Sequence, residues 1–204
     1  MRSNPLSRIF YCSLLFYFLL MNSCSQGYTP KPSGYVRINL PEKKYIKCEV
    51  RIPYTFEYPD YAKIVLDTSR IAEPYWINIV FPDLNGKIHI TYKSLHKNLD
   101  AMTEDAHALA YKHTIKADAI DETVISKPER KIYGILYDIK GNAASSIQFY
   151  ITDSVKNYLR GALYFNARPN KDSLAPVIEF VRKDIEHFIE TFEWKNNSGH
   201  LLKP

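Results

Sequence analysis

Glycine and cysteine are scarce in this 204-residue sequence, which holds 7 of the first and 3 of the second. No two glycines stand close enough to build a loop that cradles a phosphate, which excludes the common nucleotide-binding motifs. The motifs Gly-x-Ser-x-Gly, His-Glu-x-x-His and Cys-x-x-Cys are also missing. The sequence therefore gives no motif-based indication of a nucleotide site, a serine hydrolase, a zinc protease or a redox pair.

A strong charge imbalance and a long hydrophobic run are missing as well. The formal net charge is +5, and it includes Arg2 and Arg8 of an N-terminal leader that contains no acid. This charge is too weak and too dispersed to predict nucleic-acid binding. Apolar residues make up 46% and charged residues 24%, which is typical of a globular protein and excludes wholesale disorder and coiled coil.

The N-terminus has the pattern of an exported lipoprotein. Arg2 and Arg8 precede the apolar stretch Ile9–Met21, which has the length of a signal peptide and is too short for a confident membrane span. Asn22, Ser23 and Cys24 follow directly, which resembles a bacterial lipobox, where the cysteine receives a diacylglycerol and becomes the new N-terminus. The alternative is an ordinary secretory signal with a chance cysteine at this place.

These features divide the chain into four segments. We predict a lipoprotein signal peptide over 1–23, a lipidated Cys24 with a proline-containing tether over 24–34, one domain over 35–195, and a flexible tail over 196–204. Cys48 is then left without an intrachain partner. We expect it to be a buried, small apolar side chain near a strand, the alternative being a thiol open to mixed disulfides.

Hydrophobic periodicity predicts the elements of the domain. Alternation and apolar runs indicate strands over Tyr54–Tyr58, Tyr75–Phe81, Lys87–Lys93, Ala119–Ile125, Lys131–Ile139, Ala143–Thr152 and Tyr158–Phe165. One helix, with Asn98 as N-cap, is predicted by the apolar face Leu95, Leu99, Met102, Ala106, Leu109 and His113. A second helix begins near Ser173, has Pro176 in its first turn, and buries Leu174, Val177, Val181, Ile185, Phe188 and Phe192.

This order of three strands, a helix, four strands and a helix predicts an α+β fold. We expect a single meandering, mainly antiparallel sheet covered by two amphipathic helices. The element order is similar to that of the PsbP/Mog1-like fold, a likeness that carries no functional residue.

Few residues are candidates for chemistry. Glu104 with His107, and Asp184 with His187, have the i, i+3 spacing found in carboxylate-bridged metal sites, but such sites need four helices. We therefore expect solvated polar faces, no metal and no cofactor. His113 lies on the apolar face of the first helix, as a core histidine or, alternatively, as a catalytic base.

Two sets of surface residues are candidates for contact or modification. An amphipathic ring beside positive charge suits an acidic protein partner, which makes the end of the first helix and a nearby hairpin turn a candidate binding surface. Its residues are Tyr111, Lys112, Lys116, Asp118, Gly141 and Asn142. Ser154 and Ser173 follow aspartates in the Asp-Ser-apolar pattern used for O-glycosylation of exported Bacteroidota proteins; both serve equally well as turn or N-cap residues.

Several long segments resemble the gliding-motility lipoprotein D family (GldD) of Bacteroidota. They are Tyr28–Tyr35, Arg37–Pro41, Ala110–Ile120, Tyr133–Asp138, Gly141–Ser146, Arg160–Asn166 and Asp172–Phe180. The resemblance implies a non-enzymatic, lipid-anchored protein of the cell envelope, facing the periplasm and needed for gliding. It also implies other gliding-motility envelope proteins and the type IX secretion machinery as partners, and no cofactor. The alternative is a periplasmic small-ligand-binding protein or enzyme with a pocket near His113.

Overall fold

Two helices and eleven strands make up the described part of the chain. The computed structural model describes residues 39–112, 116–167 and 171–195, without the side chains of 171 and 172. The predicted signal peptide, Cys24, the tether, His113 and the tail lie outside these residues. The elements are β1 (Tyr45–Lys47), β2 (Tyr54–Thr55), β3 (Glu57–Pro59), β4 (Lys63–Leu66), β5 (Ile77–Phe81), β6 (Gly86–Ser94), α1 (Leu99–Tyr111), β7 (Ala117–Lys127), β8 (Ile132–Gly141), β9 (Ser145–Thr152), β10 (Asn157–Phe165), α2 (Lys171–Thr191) and β11 (Glu193–Trp194).

Seven of these strands form one antiparallel sheet in the order β4-β5-β6-β10-β9-β8-β7. It consists of two meanders, β4 to β6 and β7 to β10, which join where β6 pairs with β10. Two small antiparallel pairs, β1 with β3 and β2 with β11, complete the strands. The α+β class with two helices on a large antiparallel sheet is confirmed.

Helix α2 covers one face of the main sheet. Val177, Val181, Ile185 and Phe188 are almost fully buried, as their spacing predicts. The Phe188 ring centroid lies 5.6 Å from that of Phe149 on β9. Each fully buried side chain of this size contributes about 1.5–3 kcal/mol of transfer free energy, so this helix supplies much of the larger core.

Helix α1 covers only part of the opposite face. Ala106 and Ala110 are buried there against Tyr137, Tyr150 and Tyr158 of β8, β9 and β10. The predicted inward position of Leu109 is wrong, because its side chain is 39% exposed and the next residue takes the buried place. The rest of this face, over β4, β5, β6 and the adjoining part of β10, is not covered by a helix in the described part of the chain.

Three further expectations differ from the structure. Tyr54–Tyr58 falls into the two small strand pairs, while Lys63–Leu66 forms the edge strand of the main sheet. Pro176 is the sixth residue of α2, since the helix begins at Lys171. Asp184 is not on a solvated face: its side chain is only 1% exposed.

No helix among the described residues is both long enough and apolar enough to cross a membrane.

Candidate functional site

The predicted partner-binding surface is only partly assembled. Helix α1 ends at Tyr111, and Lys112 occupies its C-cap, so Lys112 and Lys116 do not share a helix face. Both lysines are exposed. The Tyr111 hydroxyl donates to Glu122 at 2.9 Å, and the Tyr111 ring stacks on His107 with centroids 4.2 Å apart. Tyr111 therefore ties the helix end to β7.

The other four residues of that surface meet at one end of the β7–β8 pair. The Asn142 N–H donates to the Lys116 carbonyl at 3.1 Å. Gly141 has a φ of 105°, and a Cβ there would lie 2.7 Å from the Asp118 nitrogen and 2.9 Å from the Lys116 oxygen. Only glycine fits this conformation and this close approach without strain. Gly141 thus has a structural reason for its identity, and partner binding here stays a prediction.

The candidate modification sites are both exposed. Ser154 lies in the β9–β10 turn with a φ of 65°, and the Asp153 carboxylate accepts hydrogen bonds from the backbone N–H groups of Val155, Lys156 and Asn157. Ser173 lies in the first turn of α2. The aspartate before Ser154 is therefore already used to hold the turn. O-glycosylation stays a prediction at both positions.

A groove of about 790 Å³ lies on the uncovered part of the sheet, away from the helix that leads to His113. Its floor is built from β5, β6 and β10, and its rim from the segments next to them. The lining residues are Trp76, Val80, Phe81, Pro82, Asn85, Gly86, Lys87, His89, Thr91, Arg160, Ala162, Tyr164, Phe165 and Asn166. The site that the structure shows is thus on the sheet, and His113 lies outside the described residues.

Strand register explains which side chains meet in this groove. His89 pairs with Asn78 on one side and with Ala162 on the other, and Ala162 pairs with Gln148. Paired residues of antiparallel strands share a face, so these four form one row across β5, β6, β10 and β9. The small side chain of Ala162 in the middle of the row leaves room above the sheet.

Positive charge dominates the groove. Lys87 and Arg160 line it, and the lining residues include no acid. An Arg160 Nη2–H donates to Oε1 of Gln148 at 2.5 Å, which fixes the guanidinium plane. The Asp67 carboxylate lies next to the groove, with Oδ2 3.6 Å from Nδ1 of His89.

Burial and neighbours set the charge of His89 and Asp67. Burial, and then the Lys87 charge, lower the pKa of His89 below its usual 6.5. A hydrogen bond from the Ser69 backbone N–H at 2.8 Å is the main cause that lowers the pKa of Asp67. At neutral pH the imidazole is therefore neutral and the carboxylate charged.

Unmet hydrogen-bonding capacity concentrates on this face. Within the described ranges, three buried side-chain atoms lack a hydrogen-bond partner: Oδ2 of Asp67, Oδ1 of Asn78 and Nε2 of Gln148. Asn78 and Gln148 are the two ends of the polar row, and Asp67 lies beside His89. Each orphaned group costs about 1–3 kcal/mol. Each such group needs an explanation, and a bound ligand that supplies the missing partner is one.

A second polar cluster joins α2 to the first described segment. The buried carboxylate of Asp184 accepts hydrogen bonds from Lys43 Nζ at 2.5 Å, Tyr45 OH at 2.9 Å and Tyr61 OH at 2.5 Å. Burial, and then Asp184, raise the pKa values of both tyrosines, so they remain donors. Three donors satisfy the carboxylate, which makes this cluster a structural clamp.

The clamp is extended by a histidine one turn along α2. The His187 ring stacks on Tyr45 with centroids 3.7 Å apart, and its Nε2 lies 2.8 Å from a carboxylate oxygen of Glu57.

The part of the chain that the structure describes holds no cluster of three or more His, Cys, Asp or Glu side chains suited to a metal ion.

Comparison with known families identifies the chain. The family model described as gliding motility lipoprotein GldD matches residues 25–194. The chain belongs to the GldD family. The resemblance stated from the sequence segments is thereby confirmed, and the match begins at the residue after Cys24.

Other comparisons add little to GldD membership. The solution structure of cyanobacterial PsbP (CyanoP) from Synechocystis is similar, with a TM-score of 0.48 and 10% identity over 80% of this chain and 99% of that one. A search of curated proteins gives no match.

GldD membership names neither the groove nor the clamp, and sequence reasoning missed both. Asp184 and His187 were singled out by spacing, but their partners are more than a hundred residues away. For the groove, the usable signal was the charged Arg160 inside the otherwise mainly apolar strand pattern Tyr158–Phe165.

Proposed function

We propose that this GldD-family lipoprotein is a non-enzymatic, lipid-anchored protein of the cell envelope that supports gliding motility as an accessory of the motility and type IX secretion machinery. The observation that carries the proposal is the family match over residues 25–194, which spans nearly all of the predicted mature chain. Its partners are then other gliding-motility envelope proteins, and no nucleic acid is involved.

The anchor follows from the sequence and the family together. Cys24 directly precedes the matched region and stands after a predicted signal peptide. Two or three acyl chains would hold the protein stably, since a single chain binds membranes only marginally. The domain would then face the periplasm from a tether of about 30 Å reach.

The state of the strongest candidate groups supports a role without catalysis. Asp184 is satisfied by three donors, so it is poorly suited to accept a proton from a substrate. Cys48 is 3% exposed, and burial raises the pKa of its thiol. A buried, protonated thiol is a weak nucleophile.

Gene replacement in the bacterium that encodes the protein tests the proposal. Deletion should abolish colony spreading, and the wild-type gene should restore it. Cys24→Ser should give a protein that leaves the membrane fraction and fails to restore spreading, while Cys12→Ser, inside the leader, should behave as wild type. A deletion strain that glides normally, or a Cys24→Ser protein that still pellets with membranes in high salt, would contradict the proposal.

A further inference from the structure

We propose that the groove over β5, β6 and β10 is a binding site for a carboxylate attached to an apolar or aromatic group. This inference concerns a site separate from the proposed motility role, and it holds or fails independently of that role. Three properties of the groove lead to it: its charge, the shape of its cationic group, and its aromatic walls.

The net charge of the groove matches a monoanion. Lys87 and Arg160 supply two positive charges, Asp67 supplies one negative charge beside them, and His89 is neutral at pH 7 because of its lowered pKa. The sum is one positive charge. A carboxylate neutralises it, whereas a phosphate dianion would leave excess negative charge against Asp67.

The guanidinium of Arg160 is prepared for a planar anion. Gln148 is 1% exposed and accepts one Arg160 N–H through Oε1 at 2.5 Å. This contact holds the guanidinium in place before a ligand binds and leaves further N–H donors for a carboxylate. Gln148 is thus a positioning residue for Arg160, and its own Nε2 has no hydrogen-bond partner among the described residues.

The walls of the groove offer aromatic surface on both sides of the charged centre. Trp76, Tyr164 and Phe165 line it. Trp76 is fixed by its indole N–H, which donates to the Tyr92 carbonyl at 2.9 Å. Apolar walls around a few placed polar groups are typical of ligand sites, and a volume of about 790 Å³ lies within their usual range. The ligand therefore carries apolar or ring surface next to its carboxylate.

Binding of simple carboxylates to the full lipidated protein in detergent tests the proposal. The probes are N-acetyl-L-phenylalanine, its amide, the tetrapeptide Ala-Ala-Ala-Phe with a free or amidated C-terminus, and inorganic phosphate. The fluorescence of Trp76 gives the readout, because Trp194 is buried at 1% exposure in the core. Trp76→Phe should abolish the fluorescence change on binding, which assigns the signal to this side chain.

Free carboxylates should bind, and their amides should bind at least about tenfold more weakly, since a charged hydrogen bond is lost. Tighter binding of the tetrapeptide than of N-acetyl-L-phenylalanine assigns the carboxylate to a polypeptide C-terminus, and the reverse assigns it to a small molecule. No binding of either acid at about 5 mM, or phosphate binding as tight as theirs, overturns the proposal.

Charge-neutralising variants locate the binding. Arg160→Gln should weaken binding about tenfold or more, and the exposed Lys87→Gln about two- to fivefold. Lys140→Gln, which removes a cation paired with Asp121 far along the same sheet, is the matched control and should bind as wild type. If Arg160→Gln does not fold, Lys87→Gln decides. Wild-type affinity in a folded Arg160→Gln or in Lys87→Gln overturns the assignment.

Discussion

The Lys43 ammonium lies 2.5 Å from Oδ1 of Asp184. The two residues come from opposite ends of the domain sequence. The same ammonium donates to the Phe180 carbonyl at 2.9 Å and lies 3.6 Å from the centroid of the Phe180 ring. Charge, hydrogen bonding and a cation–π contact thus converge on one lysine. The segment that leads into β1 is held to α2 by this arrangement.

Asp184→Asn should therefore destabilise the domain by about 2–3 kcal/mol, because it leaves the Lys43 charge without its carboxylate. This is less than the roughly 3–5 kcal/mol of fully buried pairs, since Lys43 is 23% exposed. Urea unfolding measures the difference. Asp121→Asn, in the exposed pair with Lys140, is the control and should cost under about 1 kcal/mol. Equal effects of the two substitutions would argue against the clamp.

Adding a side chain at either of two glycines of the sheet should destabilise the domain. A Cβ at Gly134 would lie 1.9 Å from the Tyr150 carbonyl oxygen, and one at Gly161 would lie 2.2 Å from the Phe149 ring. Either alanine substitution should cost about 1–3 kcal/mol through overpacking. Gly134→Ala should cost more, because a paired backbone yields less than a ring. Thermal unfolding compares them, and a Gly134→Ala protein as stable as wild type would contradict the structure.

Stability should depend on pH through His89. Its folded pKa is lowered by burial and by Lys87, so the unfolded chain binds the proton more readily. Stability should therefore fall as the pH drops from the unfolded value of about 6.5 through the lower folded value. Melting temperatures of wild type and His89→Gln between about pH 7.5 and 5.5 measure this effect. The variant should lose part of the slope; parallel curves would rule out this role for His89.

The Cys48 thiol should be nearly inert in the folded protein. It is 3% exposed, and burial raises its pKa, so little thiolate is available. In the mature chain with Cys24→Ser, Cys48 is the only thiol. A disulfide reagent should modify it at least about 100-fold more slowly than a Ser154→Cys control thiol in the exposed β9–β10 turn. Comparable rates would show that the strand region around Cys48 opens readily.

Charge reversal at the two lysines of the predicted partner-binding surface should abolish gliding. Lys112→Glu with Lys116→Glu should abolish spreading while leaving expression, melting temperature and lipidation intact, because both side chains are exposed. Lys156→Glu, in the exposed β9–β10 turn, is the matched charge-reversal control. A stable double variant that still glides would exclude this surface.

Hydrophobic periodicity predicted the strands and helices well where the burial of a side chain depends on residues nearby in the sequence. Ile88, Ile90 and Tyr92 alternate with exposed or half-buried residues along β6. Of the stripe predicted for α2, Val177, Val181, Ile185 and Phe188 are buried, Leu174 is half-buried, and the buried Phe192 follows the end of the helix. Tyr54 and Tyr58 are strand residues as predicted, but Phe56 lies between two short strands, and nothing in the alternation says which strands these pair with.

The groove and the clamp depend on which strands and helices pack side by side, which spacing along the chain does not encode. His89 and Ala162 meet because β6 pairs with β10, and Lys43 meets Asp184 because α2 packs on the first segment. In α1 the buried position after Ala106 is Ala110 and not the predicted Leu109, because steps of three and four residues both fit the 3.6-residue period of a helix.

The pairing of β6 with β10 also governs when the sheet can close as the chain emerges from export. From the time Ser94 emerges until Asn157 follows, one edge of β6 has no native neighbour, and its apolar residues are open to wrong pairing. The three strands in between, β7 to β9, can pair with one another first, but they cannot cover this edge until β10 has emerged. A chain cut short before Asn157 would therefore lack β10 and expose the unpaired edges of two half-sheets, β4 to β6 and β7 to β9. Chaperones and quality-control proteases would recognise this species, whereas the finished molecule hides that edge at its centre.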